Sequence, residues 1–279
     1  MIYLQPEVRS GLGEDTFWTW AAREFPAATF DAPSTTRAGD SVLQYSTLGA
    51  PVHRPGSIAL CWELYAEMRL QFGSAEWDQI IRRTEECAAG CARIVVASEF
   101  ARPFYEAFGS VDCLPIGVDC DLFQPRDRRA MRDKHGLPRE IPVGLWMGTM
   151  HPMKGFDLLL AHVSENPATE WIVVWKDGRS RRIARRRFGD FGPHFHQYTA
   201  ISQATLAELM VAADFFLSGS RLRPFFMVEW EAMACDLPII NAGQTLRDFE
   251  VTGSPRDEVL RRGWDRATAK NTWLQYLGG

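Results

Sequence analysis

The chain has 279 residues, 46% hydrophobic and 24% charged, with a net charge of -4. That suffices for a large core in one or two domains of an ordinary soluble globular protein. The mild negative charge argues against wholesale coating of a polyanion, and no apolar run approaches the roughly 18 residues of a membrane span.

Met1–Val8 reads as a short apolar strand. No basic stretch precedes it, so no signal peptide is expected and the location is expected to be cytoplasmic. Gly11-Leu12-Gly13 follows, then a helical pattern through Phe17, Trp20 and Ala21 to Phe25. Strand, glycine turn and helix form the opening of a Rossmann unit. Residues 31–56, rich in Pro, Gly, Ser and Thr, hold one strand near Ser41–Ser46 and are otherwise loops. Ser57–Trp62 is the next strand. Ser74 is placed to cap a helix in which Trp77, Ile80, Ile81, Thr84, Cys87, Ala88 and Cys91 share a face. Arg93–Ala97 reads as a buried strand, followed by a short helix with Pro103 in its first turn and Gly109 at its end. Val111–Pro115 is a strand. Gln124 to Pro138 is charged and reads as a linker with a short helix.

From about Pro142 to Asn241 the alternation is cleaner. Strands are expected at Pro142–Met147, Glu170–Trp175, His194–Tyr198, Phe215–Ser218 and Leu237–Asn241. Helices fall between them at Gly155–His162, Arg179–Phe188, Thr205–Ala213 and Phe226–Cys235. Continuous apolar strands alternating with helices indicate a doubly wound parallel sheet covered on both faces. A final helix spans Gly263 to Leu277, with Trp264, Ala267 and Trp273 on its apolar side.

Several residues in this half carry chemistry. Lys154 stands between a strand and the next helix, where the helix terminus is already positive; an anion sharing the site would explain it, against an ordinary solvated loop lysine. Arg221 and Arg223 repeat the pattern before the helix at Phe226. Two such places at the ends of one parallel sheet converge on the usual ligand crevice. Glu231 lies in a helix that is apolar almost all round and shares its face with Met227, Trp230 and Ala234, so its carboxylate needs strong partners. Ribose hydroxyls would serve, as would an ion pair with Arg221, Arg223 or another cation. Arg179, Arg181, Arg182, Arg185, Arg186 and Arg187 form the densest charge run. The run is a solvated face or a polyanion contact, and no aromatic interleaves it for base stacking. The six cysteines show no CxxC pair and read as buried small hydrophobes of a reducing compartment. His194 and His196 read as a strand pair, and no metal site is expected.

At these residues the chain resembles the retaining glycosyltransferases of the GT-B fold related to glycogen and sucrose synthases. Val96-Ala97-Ser98-Glu99 looks like the strand and serine closing an N-terminal domain. Leu114-Pro115-Ile116-Gly117-Val118-Asp119, with Phe123 and Pro125, resembles the "iPNGVD…F.P" junction. Gly148 to Gly155 resembles the "GR…KG" diphosphate loop, Ser218 to Ala234 the "S..E.fG…lEAmA" donor segment, and Gly263-Trp264-Asp265 the "sW" before the last helix. The resemblance runs through nearly the whole chain, more weakly before Trp77. It departs at three places: Thr149 stands for the arginine preceding the "KG" lysine, Arg223 for the first of two paired glutamates, and Trp62 and Glu63 occupy the neighbourhood of a frequent histidine.

The resemblance implies an α/β protein of two facing Rossmann-like domains, the N-terminal one trimmed, with a C-terminal helix crossing back. Residues 1–124 with 262–279 would form the acceptor domain and 125–261 the donor domain. The expected reaction is retaining, metal-independent transfer from a nucleoside-diphosphate sugar, the co-substrate, to an acceptor hydroxyl; no cofactor is expected. Lys154, Arg223 and Glu63 are the expected catalytic residues. Gly11, Gly13, Gly148, Thr149, Lys154, Tyr198, Pro224, Phe225, Phe226, Met227 and Glu231 are expected to line the donor, and Arg181, Arg182, Arg185 and Arg186 to meet a polyanion. The acceptor is expected to be a hydroxylated base in phage-type DNA, or else a glycan, lipid or natural product. The alternative is a non-catalytic nucleotide-sugar-binding or scaffold protein that kept the fold.

Overall fold

The computed structural model describes residues 2–5, 13–25, 28–30, 41–45, 56–62, 64–73, 75–222, 226–243, 251 and 253–278. They divide into two compact units, residues 1–117 with 266–279, and residues 118–265.

The first unit is built on β1 (Ile2–Gln5), α1 (Gly13–Glu24), β2 (Ala28–Phe30), β3 (Ser41–Tyr45), β4 (Ser57–Leu60), α2 (Tyr65–Phe72), α3 (Glu76–Gly90), β5 (Arg93–Val96), α4 (Arg102–Tyr105) and β6 (Val111–Cys113). Its strands form one parallel sheet in the order β2-β1-β3-β4-β5-β6. β4 is buried along its whole length, as a strand covered on both faces must be. Cys61 and Cys87 are buried with Ala59, Ile94 and Val96 in one apolar cluster. Two elements here exceed what the sequence pattern predicts. β2 is three residues long, too short for a periodicity to show. α2 has no side-chain cap at its N-terminus; its end is legible only at Gly73, which takes a left-handed φ of 63°. The expected cap Ser74 lies outside the described residues; the residue before α3 is Ala75, which supplies no side-chain cap.

The second unit contains α5 (Arg128–His135), β7 (Val143–Gly148), α6 (Phe156–Glu165), β8 (Glu170–Trp175), α7 (Gly178–Phe188), β9 (Phe195–Thr199), α8 (Gln203–Ala212), β10 (Phe215–Ser218), α9 (Met227–Ala234), β11 (Ile239–Asn241) and α10 (Pro255–Arg261). The sheet is parallel in the order β11-β10-β7-β8-β9. Trp146, Trp171 and Trp175 are buried on its strands, with Phe156, Leu159 and Ala184 of the covering helices. α8 buries Leu206, Leu209 and Met210, the face its spacing predicts. The charged stretch expected to be a linker is instead anchored in this unit. Arg132 of α5 is buried, bonded to the Ala212 and Arg139 carbonyls and paired with Asp214 at 2.6 Å. α10 is a further addition to the expected elements; Ser254 caps it by accepting from Asp257 N, with Pro255 in the first turn.

The last helix, α11 (Arg266–Gly278), belongs to the first unit. Trp273 is buried and donates to the Pro115 carbonyl, and Arg93 donates to that of Tyr276. The helix starts at Arg266 rather than Gly263, so Trp264 precedes it, Ala267 faces solvent and Ala269 is the buried alanine. No helix among the described residues is long and apolar enough to cross a membrane.

Candidate donor site

In the second unit the chain leaves β7 to one side, through β8 and β9, and to the other through β10 and β11. Ligands of open parallel sheets bind beyond the carboxyl ends of the strands at such a switch point. The loops leaving β7 and β10 are therefore the place to look, and they hold the predicted Lys154 and Phe226.

Glycines bring those two loops together. After Gly148 the chain makes a 3-10 turn, Pro152–Lys154, in which the His151 ring accepts from Met153 N. Gly155 then takes a left-handed φ of 59°. Its missing side chain leaves room for the other loop: a Cβ there would lie 2.0 Å from the Gly219 carbonyl oxygen. A Cβ on Gly219 would lie 2.8 Å from the Lys154 and Gly155 carbonyl oxygens. Hydrogen bonds fix the approach. Arg221 N donates to Met153 O at 2.9 Å, and Trp146 Nε1 donates to Lys154 O at 3.1 Å.

Arg221 closes the same contact from outside. Its guanidinium donates to the Pro152 carbonyl and, through two nitrogens, to both carboxylate oxygens of Asp157. This corrects the expectation for Arg221: it is committed to holding the two loops and the α6 N-terminus together. The hydrogen bonds from Arg221 hold the Asp157 carboxyl below the usual carboxylate range.

A shallow cleft opens here, lined by Met147, Lys154, Ser218, Ser220, Phe226 and Glu229 among others. The Lys154 ammonium sits 3.8 Å from the centroid of the Phe226 ring, a cation–π contact. Phe226 is also the N-cap of α9, and Met227 its first residue. Lys154 is half-buried, so its charge is less screened than that of a surface lysine. A cation, the N-terminus of α9 and glycine backbone converge where a diphosphate could lie.

Glu231 is buried, as its helix predicts, and Gln203 Nε2 donates to it at 3.4 Å. Arg221, one of its expected partners, is engaged by Asp157 instead. Glu229, to which the sequence assigns no role, is the more buried of the two glutamates at 1% exposure. It accepts from Ser218 Oγ and, at 2.5 Å, from Phe226 N. The signal for it is the N3 position of the helix, where a glutamate reaches back to the N-cap amide.

Gly148 ends β7 against Trp146 and the Lys154 Cβ, and the hydroxyl of Thr149 accepts from His151 N. Tyr198 lies on β9 with its ring edge-on to His135, apart from the residues that line the cleft. Gly13 opens α1 in the first unit. Gly11, Glu63, Arg223, Pro224 and Phe225 lie outside the described residues. The arginines of α7 are all exposed, while Ser180 and Ala184 form its buried face. His194 and His196 both bond Glu170, at 2.8 Å each, so the strand pair has an acidic partner that spacing does not reveal. Among the described residues no group of three His, Cys, Asp or Glu side chains is arranged to hold a metal ion.

No protein-family model matches the chain. In sequence it is similar to D-inositol 3-phosphate glycosyltransferase 2 of Catenulispora acidiphila, 30% identical over 181 residues, which are 59% of this chain and 42% of that protein. It is likewise similar to the D-inositol 3-phosphate glycosyltransferase of Segniliparus rotundus, 31% identical over 142 residues, 47% of this chain and 31% of that protein. The matches thus span less than half the length of these curated relatives. In fold it is similar to Anabaena HepE solved with UDP and glucose, with a TM-score of 0.72 at 14% identity over 99% of this chain and 98% of that one. WaaG, a glycosyltransferase involved in lipopolysaccharide biosynthesis, gives 0.63 at 15% identity over 99% and 94%. The architecture is that of the GT-B glycosyltransferases, two Rossmann-like α/β units in one chain.

Proposed function

We propose that the chain is a glycosyltransferase that moves a sugar from a nucleoside-diphosphate donor to an acceptor hydroxyl, with retention at the anomeric carbon and without a metal. The observation that carries this reading is the half-buried Lys154 at the switch point of the second sheet, beside the N-terminus of α9. The bond from the anomeric carbon to the diphosphate breaks, its electron pair stays on the diphosphate, and a bond to the acceptor oxygen forms as that oxygen loses its proton. Negative charge grows on the leaving group through an oxocarbenium-like transition state. A fixed ammonium and helix terminus stabilise that charge without reorganising. Glu231, in the second turn of α9, takes the ribose hydroxyls in this reading, and Arg223 and Glu63 are assigned to the sugar and acceptor sides.

UDP is the nucleotide we propose, since HepE of the same fold was solved with UDP-glucose. A thermal-shift series with UDP, UDP-glucose and other nucleoside diphosphates tests it, because a ligand of the native state raises the unfolding midpoint. A rise with UDP that disappears in Lys154→Ala is expected; no rise with any nucleoside diphosphate overturns the reading.

For the acceptor, the exposed arginines of α7 favour a polyanion, and DNA bearing a hydroxylated base is the proposal they support. Arg181, Arg182, Arg185 and Arg186 turn away from the buried Ser180 and Ala184, and only Arg185 has an acidic partner, Asp190, among the described residues. Transfer of labelled glucose from UDP-glucose to hydroxymethylated DNA is compared with transfer to D-inositol 3-phosphate, the compound in the relatives' names. A salt-sensitive DNA complex lost on neutralising the four arginines supports the DNA acceptor, and no complex at low salt overturns it.

A further inference from the structure

We propose that Glu229 is a positioning residue for the donor diphosphate, acting through Phe226 on Lys154; the part concerning the diphosphate rests on the donor reading above. The "S..E.fG…lEAmA" resemblance is silent at this position, and nothing in the pattern calls for a carboxylate there. Yet Glu229 is 1% exposed on a helix whose residues, apart from it and Glu231, are all apolar. Burying a carboxylate is costly unless it is well bonded. Both its oxygens are bonded to elements of the cleft: one accepts from the hydroxyl of Ser218 at the end of β10, the other from the amide of Phe226. Both Ser218 and Phe226 line the cleft together with Lys154.

The consequence is a chain of three contacts. Glu229 ties the first residue before α9 to the end of the neighbouring strand. That fixes the Phe226 backbone and limits where its ring lies. The ring in turn lies under the Lys154 ammonium at 3.8 Å. A flexible lysine has several rotamers to lose, so a ring that already holds its head near the diphosphate lowers the entropy lost on binding. The N3 glutamate thus does more than cap a helix: a cap alone would be served by any residue that stabilises α9, whereas this one sets the position of the cation.

Two readouts test the idea. The chain has four lysines, Lys134, Lys154, Lys176 and Lys270, so reductive 13C-methylation of the whole protein gives few signals, and Lys154→Arg identifies that of Lys154. A methylated ammonium over an aromatic face is displaced upfield. The displacement is expected in the wild type, retained in Glu229→Gln, which still has an oxygen for the Phe226 amide, and lost in Glu229→Ala and in Phe226→Leu. UDP titration gives the second readout: Glu229→Ala weakens binding about tenfold in the wild-type background and less than twofold in the Lys154→Ala background, the non-additivity expected of residues acting as a unit. Ser218→Ala, which removes one bond and keeps the apolar fold of β10, gives an intermediate upfield displacement if Glu229→Ala proves too unstable to purify. An undisturbed Lys154 signal in the alanine or leucine variants, or equal losses of UDP affinity in both backgrounds, overturns the proposal. If the signals behave as expected but the wild type binds no UDP, the donor reading fails and the positioning of Lys154 by Glu229 stands.

Discussion

Gly155 and Gly219 face each other so closely that neither could carry a side chain: a Cβ on Gly155 would lie 2.0 Å from the Gly219 carbonyl oxygen. The contact joins the loops after β7 and β10, the two strands that flank the switch point of the second sheet. Gly155 also holds a left-handed φ of 59°. Gly155→Ala therefore faces both a backbone clash and a conformation that side chains disfavour by about 1 kcal/mol. The clash is with backbone and cannot be relieved by a rotamer change. A loss of about 3 kcal/mol or more in urea unfolding is expected, together with loss of the UDP-dependent rise in midpoint. Gly136 is the control: it is left-handed too, with a φ of 65°, but a Cβ there would meet no atom within 4 Å. Gly136→Ala is expected to cost only about 1 kcal/mol and to leave UDP binding intact.

Lys154 and Glu231 should separate when the ligand is divided. A charge-assisted contact contributes about 1.5–3 kcal/mol, so Lys154→Ala is expected to weaken both UDP and inorganic pyrophosphate by roughly tenfold to a hundredfold. Glu231→Gln, if its carboxylate serves the ribose, weakens UDP by a similar factor and leaves pyrophosphate unchanged. Calorimetric titration of both ligands against both variants reads this directly. Equal loss of pyrophosphate binding in Glu231→Gln would show that the buried carboxylate shapes α9 rather than meeting a sugar.

The Arg221–Asp157 clamp carries a pH signature. Hydrogen bonds from Arg221 lower the Asp157 carboxyl below its ordinary value, against the burial that would raise it. A lowered folded-state value means that the clamp's stabilisation is complete above the unfolded carboxylate range and is lost as pH falls through the folded value. Asp157 is more than half exposed, so solvent limits the contribution to about 1 kcal/mol. The difference in midpoint between the wild type and Arg221→Ala is expected to be constant from about pH 5 to 8 and to shrink only below about pH 4. A difference that changes across neutral pH would assign the effect to another group.

The second sheet is legible in the sequence because its inner strands are buried on both faces, so Val143–Gly148 and residues 171–175 stand out as apolar runs; Trp146, Trp171 and Trp175 all prove to be core residues. The site is legible in part. Lys154 and Phe226 show themselves because a cation before a helix and an apolar helix start are local patterns. Glu229 shows itself only as the N3 glutamate of a helix; its further bond is to Ser218 on β10, which no helical pattern announces. The clamp role of Arg221 is hidden for the same reason: nothing near it in the chain announces Asp157, 64 positions earlier. Short elements such as β2 carry too few residues for a period to emerge, and α2 lacks the cap that would mark its start. Local chemistry is written locally, whereas a partner brought in by the sheet is not.

Arg132 gives the sharpest stability test of that distinction. Its charged surroundings, Gln124 to Pro138, read as a linker, yet the guanidinium is buried and meets the Ala212 and Arg139 carbonyls and the Asp214 carboxylate. Asp214 in turn accepts from Val143 N, the first amide of β7, and from Arg128. Arg132 thereby connects α5, the end of α8 and the start of the central strand. Arg132→Ala removes a buried cation and leaves two carbonyls without it, so a loss of about 3–5 kcal/mol is expected. Arg132→Met keeps most of the volume, and Asp214 retains its bonds to Arg128 and Val143 N, so the loss should be smaller by about 1–2 kcal/mol. Asp214→Asn keeps an oxygen for Val143 N but gives up the charge, and should fall between them. Denaturant unfolding of the three variants orders the effects; if Arg132→Ala costs less than about 1 kcal/mol, α5 is a surface appendage and the linker reading of this stretch returns.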